Sequence, residues 1–223
     1  MIRTVFIDID DTLLDFGACA KEAMEAAFAS CSLEYHDDYY ACFLAENERL
    51  WQMIERGELT VEELHHKRWQ GIFELLGIDY DGINFERLFV DNLHRTHVRM
   101  KGAKELLGYL SGRYALFAAS NALYQEQVER LALAELIAYF DGVYTSELAG
   151  IAKPDRRFFD YCCLQSGSVP QECVMIGDSY SSDVLGARAA GIRMIWFNHH
   201  LKTVPADFAG EVVYSLAEIE HIL

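Results

Sequence analysis

A chain of 223 residues, 52% hydrophobic and 13% aromatic, can bury a sizeable core and is long enough for one domain or two. Its 35 acidic residues against 19 lysines and arginines give a formal charge of −16, which argues against a nucleic-acid polymer as partner, since that needs a basic footprint. No apolar run reaches the ~20 residues that span a bilayer, and Asp8 stands where a leader would need apolar residues, so a cytoplasmic chain with no membrane contact is expected. The six cysteines (Cys19, Cys31, Cys42, Cys162, Cys163 and Cys173) include no Cys-x-x-Cys pair and read as reduced, mostly buried thiols.

Thr4-Val-Phe-Ile7 has the composition of a buried strand. From about Phe16 to Arg99 the pattern turns helical. Residues 21–28 are good helix formers, and residues 38–56 carry apolar side chains near helical spacing, with Gly57 as a stop. Thr60-Val-Glu-Glu63 reads as a capping box opening a helix that runs to Gly77, and a further helix covers about 85–94. With no strand among them, these ~80 residues read as a small helical bundle. Beyond Gly102 helices and strands alternate. Helix 103–110 precedes strand 114–119, and helix 125–133 precedes a short strand near 142–144. Pro154 is expected in the first turn of a helix reaching Gln165. Strand 173–176, helix 182–190, strand 193–197 and a short strand at 211–214 follow, and Ser215-Leu-Ala-Glu218 reads as a second capping box opening a last helix. Alternation of this kind predicts an α/β fold with a doubly wound parallel sheet. Residues 1–15 and 100–223 would form this core, and residues 16–99 a helical insertion between its first two strands.

The first strand runs into Asp8-Ile9-Asp10-Asp11-Thr12, three carboxylates in four positions. Asp8 and Asp10 point the same way on an extended backbone, and such a pair repels unless a cation joins it. A solvated acidic turn is the other reading of the stretch. Ser120 and Asn121 end a second apolar run, where a hydroxyl and nearby N–H groups can hold phosphoryl oxygens or simply cap a helix. Lys153, just before Pro154, offers a point charge. Gly177-Asp178 follows a third apolar run, and Asp183 stands five residues on. Asn198-His199-His200, after strand 193–197, reads as a loop.

These four stretches, Asp8-x-Asp10-x-Thr12, the Ser120 strand end, Lys153-Pro154 and Gly177-Asp178, occur in the order of the haloacid-dehalogenase superfamily, which the chain resembles over nearly its whole length. The resemblance implies a Rossmann-like core with a helical cap of the type placed after the first motif. It implies a magnesium-dependent phosphomonoesterase with Asp8 as nucleophile, Asp10 as general acid and base, and Thr12 fixing the turn that holds Asp10. Ser120, Asn121 and Lys153 would bind phosphate, with Lys153 stabilising the transferring group. Asp8, the Asp10 carbonyl and Asp178 would hold Mg2+, while Asp183 supports Lys153 or a metal-bound water, or is a plain helix-start carboxylate.

Within the superfamily Asp10 disfavours a dehalogenase, which has no leaving oxygen to protonate. A phosphomutase usually has Gly where this chain has Asp11. Asp11–Phe16, the Trp51 region, Gly150-x-x-Lys153-Pro-Asp155 and Asn198-x-His200 resemble the pyrimidine 5′-nucleotidase branch, with Ala122 departing from the Gly often found there. A (deoxy)pyrimidine nucleotide is therefore the expected small phosphate ester, with Tyr39, Tyr40, Trp51, Trp69 and His66 as the cap's candidate contacts to it, although aromatics at helical spacing are usually core and most of these would simply pack the cap. Sugar-phosphate or phosphoglycolate hydrolysis and a non-catalytic scaffold are the alternatives.

Overall fold

The structure, a computed structural model, describes residues 1–223 apart from the side chain of Glu55. In chain order it comprises β1 (Thr4–Ile7), α1 (Phe16–Ser30), α2 (Asp37–Glu55), α3 (Val61–Leu76), α4 (Gly82–Leu93) and α5 (Ala103–Leu110). Then come β2 (Ala115–Ser120), α6 (Tyr124–Leu133), β3 (Gly142–Thr145), α7 (Ser146–Ala149), α8 (Arg156–Ser166), β4 (Cys173–Gly177), α9 (Gly186–Ala190), β5 (Arg193–Phe197) and β6 (Glu211–Val213). Two compact units result, Met1–Asp15 with His97–Leu223, and Phe16–Thr96.

The larger unit is built on one parallel sheet of six strands, ordered β3-β2-β1-β4-β5-β6. Alternation of side chains along each strand gives the sheet two apolar faces. Val5, Ile7, Leu116, Ala118, Val174 and Ile176 pack on one side with Leu106, Leu107 and Leu131 of α5 and α6. Phe6, Phe117, Met175 and Trp196 pack on the other with Phe158, Phe159 and Ala187 of α8 and α9. Burial on both faces explains why these strands read as continuous apolar runs. The sheet is doubly wound, and strand order reverses at β1, which lies between β2 and β4. Ligands of open α/β sheets bind at the carboxyl ends of strands beside such a reversal. Asp8 sits there, its N–H donating to the Ile176 carbonyl at 2.9 Å, one residue past the end of β1.

The smaller unit is helical. Phe28, Phe43, Trp69, Phe73, Phe85 and Phe89 form its centre, with Phe28–Phe85 and Trp69–Phe85 ring centroids 4.8 and 4.4 Å apart. Trp69 is fully buried in this cluster, so of its two expected roles it takes the core one and not contact with a substrate. A buried ion pair unforeseen in the sequence crosses the bundle. Arg68 donates to Glu86 at 3.1 Å through Nε and at 2.5 Å through Nη2, and to Asn47 at 2.8 Å, with its guanidinium 4.9 Å from the centre of the Phe89 ring. His65 joins it through Glu86 at 2.8 Å.

Three local expectations need correction. Pro154 lies outside α8, because the Asp155 carboxylate accepts the Arg157 N–H at 2.8 Å and so starts the helix two residues later. Helix 182–190 divides into a π-helical turn at Tyr180–Leu185 followed by α9. There the Ser179 carbonyl accepts both the Asp183 and Val184 N–H groups, which widens the turn. Ser215 is not half of a capping box. Its hydroxyl bonds the Glu218 carboxylate at 2.8 Å, no backbone N–H bonds its side chain, and only 3₁₀ turns follow at Leu216–His221.

The box at Thr60 is complete. Thr60 Oγ1 accepts the Glu63 N–H at 3.2 Å while Glu63 Oε2 accepts the Thr60 N–H at 2.9 Å, and Gly77 ends α3 in the left-handed conformation. Thr60→Ala should therefore cost about 1 kcal/mol in urea unfolding and Thr60→Ser very little. Equal losses in both variants would show that the hydroxyl does not cap the helix.

Candidate active site

Asp8 follows β1, Ser120 ends β2, and Asp178 follows β4, so three adjacent strands deliver their polar side chains to one edge of the sheet. Lys153, on the segment between α7 and α8, reaches the same place. Its Nζ donates to Asp8 Oδ1 at 2.6 Å, to Asp183 Oδ1 at 2.6 Å and to the Ala119 carbonyl at 2.8 Å. Lysine is rarely buried, yet Lys153 is only 3% exposed, and these three acceptors are what permit it. Asn121 fixes the lysine's backbone by a reciprocal pair. Its Oδ1 accepts the Lys153 N–H at 2.7 Å, and its Nδ2 donates to the Lys153 carbonyl at 2.8 Å. The Asn121 amide thus positions Lys153, where the sequence suggested a direct phosphate contact.

Asp183 is the anchor on the opposite side of the lysine. Its Oδ2 accepts the Ser179 N–H at 3.1 Å, so each of its oxygens has a donor. Gly177 makes room for it, since a Cβ on Gly177 would overlap the Asp183 carboxylate. Asp178 is oriented through its own carbonyl, which accepts the Trp196 indole N–H at 2.9 Å.

Asp10 is held from a direction the sequence did not reveal. Arg130 Nη1 donates to its Oδ1 at 2.6 Å, and Gln127 Nε2 to its Oδ2 at 2.7 Å and to Ser120 Oγ at 3.1 Å. Gln127 and Arg130 are three apart, on one face of α6, and both are buried. Polar residues facing the core from an otherwise amphipathic helix were the available signal. The Thr12 N–H closes the turn onto the Ile9 carbonyl at 3.4 Å, but its hydroxyl reaches Asp178 at 3.5 Å; the grip on Asp10 comes from α6.

Electrostatics state what the site needs. One carboxylate oxygen each from Asp8, Asp178 and Asp183 lie within 4.8 Å of one another, and Lys153 is the cation bonded to two of these residues. Burial pushes the Asp8 carboxyl up to about 7, against the pull of Lys153 and with the push of Asp183. Asp178 is raised well above the ordinary carboxyl value by burial and then by the Asp8 and Asp183 charges. Burial alone would lower Lys153, but the Asp183 and Asp8 carboxylates outweigh it and hold the ammonium above its ordinary value. Two carboxyls that resist ionisation mark a deficit of positive charge. A hard divalent cation with oxygen ligands fits this donor set.

The model of the family described as haloacid dehalogenase-like hydrolases matches residues 2–191. A magnesium-bound structure of the HAD-hydrolase YfnB from Bacillus subtilis superposes with a TM-score of 0.93 at 27% identity, covering 99% of this chain and 98% of that one. The pyrimidine 5′-nucleotidase PynA of Streptococcus pneumoniae is 33% identical over 97% of this chain and 93% of its own. The pyrimidine 5′-nucleotidase YjjG of Escherichia coli is 30% identical over 98% and 96%.

Proton binding gives a test of the charge deficit. Folded and metal-free, Asp8 keeps its proton to about 7, whereas unfolded it releases it near 3.8. The folded state therefore holds more protons in that window, and this site's contribution to stability falls as pH rises through it. A cation needs the ionised carboxylates, so it should raise the unfolding temperature more at about pH 7 than at about pH 5. An equal rise at both would contradict cation binding at these groups.

Proposed function

This chain belongs to the haloacid dehalogenase-like hydrolases, and from that premise we propose that it hydrolyses small phosphate monoesters through an aspartyl-phosphate, pyrimidine nucleoside 5′-monophosphates foremost. The observation that carries this reading is the Lys153 ammonium, buried between Asp8 and Asp183 at 2.6 Å from each. It places a cation beside the nucleophilic carboxylate, where charge develops as a phosphoryl group transfers.

In the first step an Asp8 oxygen attacks phosphorus, the bond from phosphorus to the leaving oxygen breaks, and the Asp10 carboxyl gives that oxygen its proton. In the second, water attacks phosphorus, Asp10 takes the water's proton, and the Asp8–phosphorus bond breaks to release phosphate. Arg130 and Gln127 both donate to Asp10 and hold its carboxyl group in place for both transfers. Ser120 Oγ, at the end of β2, offers a hydroxyl to phosphoryl oxygens. Asp8, the Asp10 carbonyl and Asp178 would hold Mg2+, with Thr12 and Asp183 in support. When bound, that ion supplies neutralising charge to the phosphoryl oxygens.

The nucleotide assignment draws on PynA and YjjG, named as pyrimidine 5′-nucleotidases and similar over almost their full lengths. We assign the helical unit the role of the family's cap and the choice of leaving group, with Tyr39, Tyr40, Trp51 and His66 as candidates. The experiment compares kcat/KM for dTMP, dUMP, UMP, AMP, phosphoglycolate and hexose phosphates in magnesium, with Asp8→Asn as control. Pyrimidine nucleotides should lead by at least tenfold, about 1.4 kcal/mol of transition-state preference, and the folded Asp8→Asn chain should not turn over. A sugar phosphate in the lead would overturn the nucleotidase assignment alone. Failure to hydrolyse any monoester would overturn the phosphatase reading.

A further inference from the structure

A second donor set, of different chemistry, stands beside the carboxylates. Asp11, His199 and His200 each bring one ligand atom to within 4.8 Å of the others. Two tied turns present them. Asp11 takes a left-handed backbone at φ 58°, and its N–H donates to the Leu14 carbonyl at 2.8 Å. The histidines leave β5 in a loop closed by the buried Asn198. The Asn198 Oδ1 accepts the Lys202 N–H at 2.8 Å, its Nδ2 donates to the Lys202 carbonyl at 2.8 Å, and its N–H donates to the Val213 carbonyl at 2.8 Å.

Two observations point from these donors to a ligand. His200 Nε2 lies 3.7 Å from Asp11 Oδ2, within ion-pair reach and wide enough apart to share a cation. That separation is close to the span of two donors on one tetrahedral cation, roughly 3.4 Å for bonds of about 2.0–2.1 Å. His199 Nε2 is buried and makes no hydrogen bond in the protein, a state that native structures seldom leave without a ligand or water. The His199 ring is held in place by stacking on Phe197, with centroids 4.8 Å apart.

We propose that Asp11, His199 and His200 form a binding site for a divalent transition-metal ion of the zinc class. Two imidazoles with one carboxylate suit Zn2+, Co2+ or Ni2+, whereas magnesium prefers oxygen donors alone. Three protein donors leave a coordination position for water or an anion.

The test needs no enzymatic activity. The whole chain, in excess magnesium to occupy the carboxylate site, is titrated with Co2+ and followed by visible absorption. One cobalt per chain should bind, with the strong bands of a four-coordinate, imidazole-ligated ion, and zinc but not further magnesium should displace it. His199→Ala and the milder, exposed-site change His200→Gln should each weaken binding at least tenfold and remove the bands, with unchanged circular dichroism. Cobalt binding that survives both substitutions, yields to magnesium, or lacks the bands would overturn the proposal.

Discussion

A buried ammonium between two buried carboxylates is the constraint from which the site follows. Either partner alone would be costly to bury; together Lys153, Asp8 and Asp183 satisfy one another at 2.6 Å. The surrounding chain is shaped to keep them there. Gly177 lacks a side chain because Asp183 occupies the space one would fill. Asn121 clamps the lysine's backbone from the end of β2, and Ser179 caps the turn carrying Asp183. Removing the Lys153 charge would leave two carboxylates uncompensated in a poorly solvated setting, at a cost of about 3–5 kcal/mol.

That clasp does not neutralise the site. Asp178 adds a third carboxylate, and the raised Asp8 and Asp178 groups record the imbalance. Asp10, only two residues from Asp8, adds a smaller push of its own, and Arg130 and Gln127 of α6 pair with it. The resulting division is chemically useful. One carboxylate is left to a lysine, its neighbour to a guanidinium, and so the two can do different work within one short turn. Parallel strands make this possible, because each ends at the same edge with its next residue free of the ladder.

The sheet was legible in the sequence because its strands are buried on both faces and its helices keep a 3.6-residue period; β1, β5 and α5 fall where the pattern put them. Asp8, Asp10, Ser120, Lys153, Asp178 and Asp183 were legible as motif residues, and the structure brings them to one edge. What escaped was partnership. Gln127 and Arg130 look in the sequence like ordinary polar residues of an amphipathic helix, and their role depends on α6 packing against the turn after β1. Trp196 is a buried residue of β5 whose N–H also orients Asp178, a contact between segments far apart in the chain. Asn121 reads as a phosphate ligand because nothing local shows that a segment 32 residues on will occupy its amide. The π-helical turn at Tyr180–Leu185, where the Ser179 carbonyl accepts two successive N–H groups, leaves no mark in the periodicity.

The central claim is that Asp8 becomes covalently phosphorylated. A rapid acid quench during turnover of a nucleoside monophosphate, followed by borohydride reduction, tests it most directly, because hydride converts an aspartyl-phosphate to homoserine. The account predicts homoserine at position 8 only, found by mass analysis of the peptide carrying it and absent without substrate. Steady turnover with no modification at Asp8, or with the phosphoryl group on another residue, would contradict it.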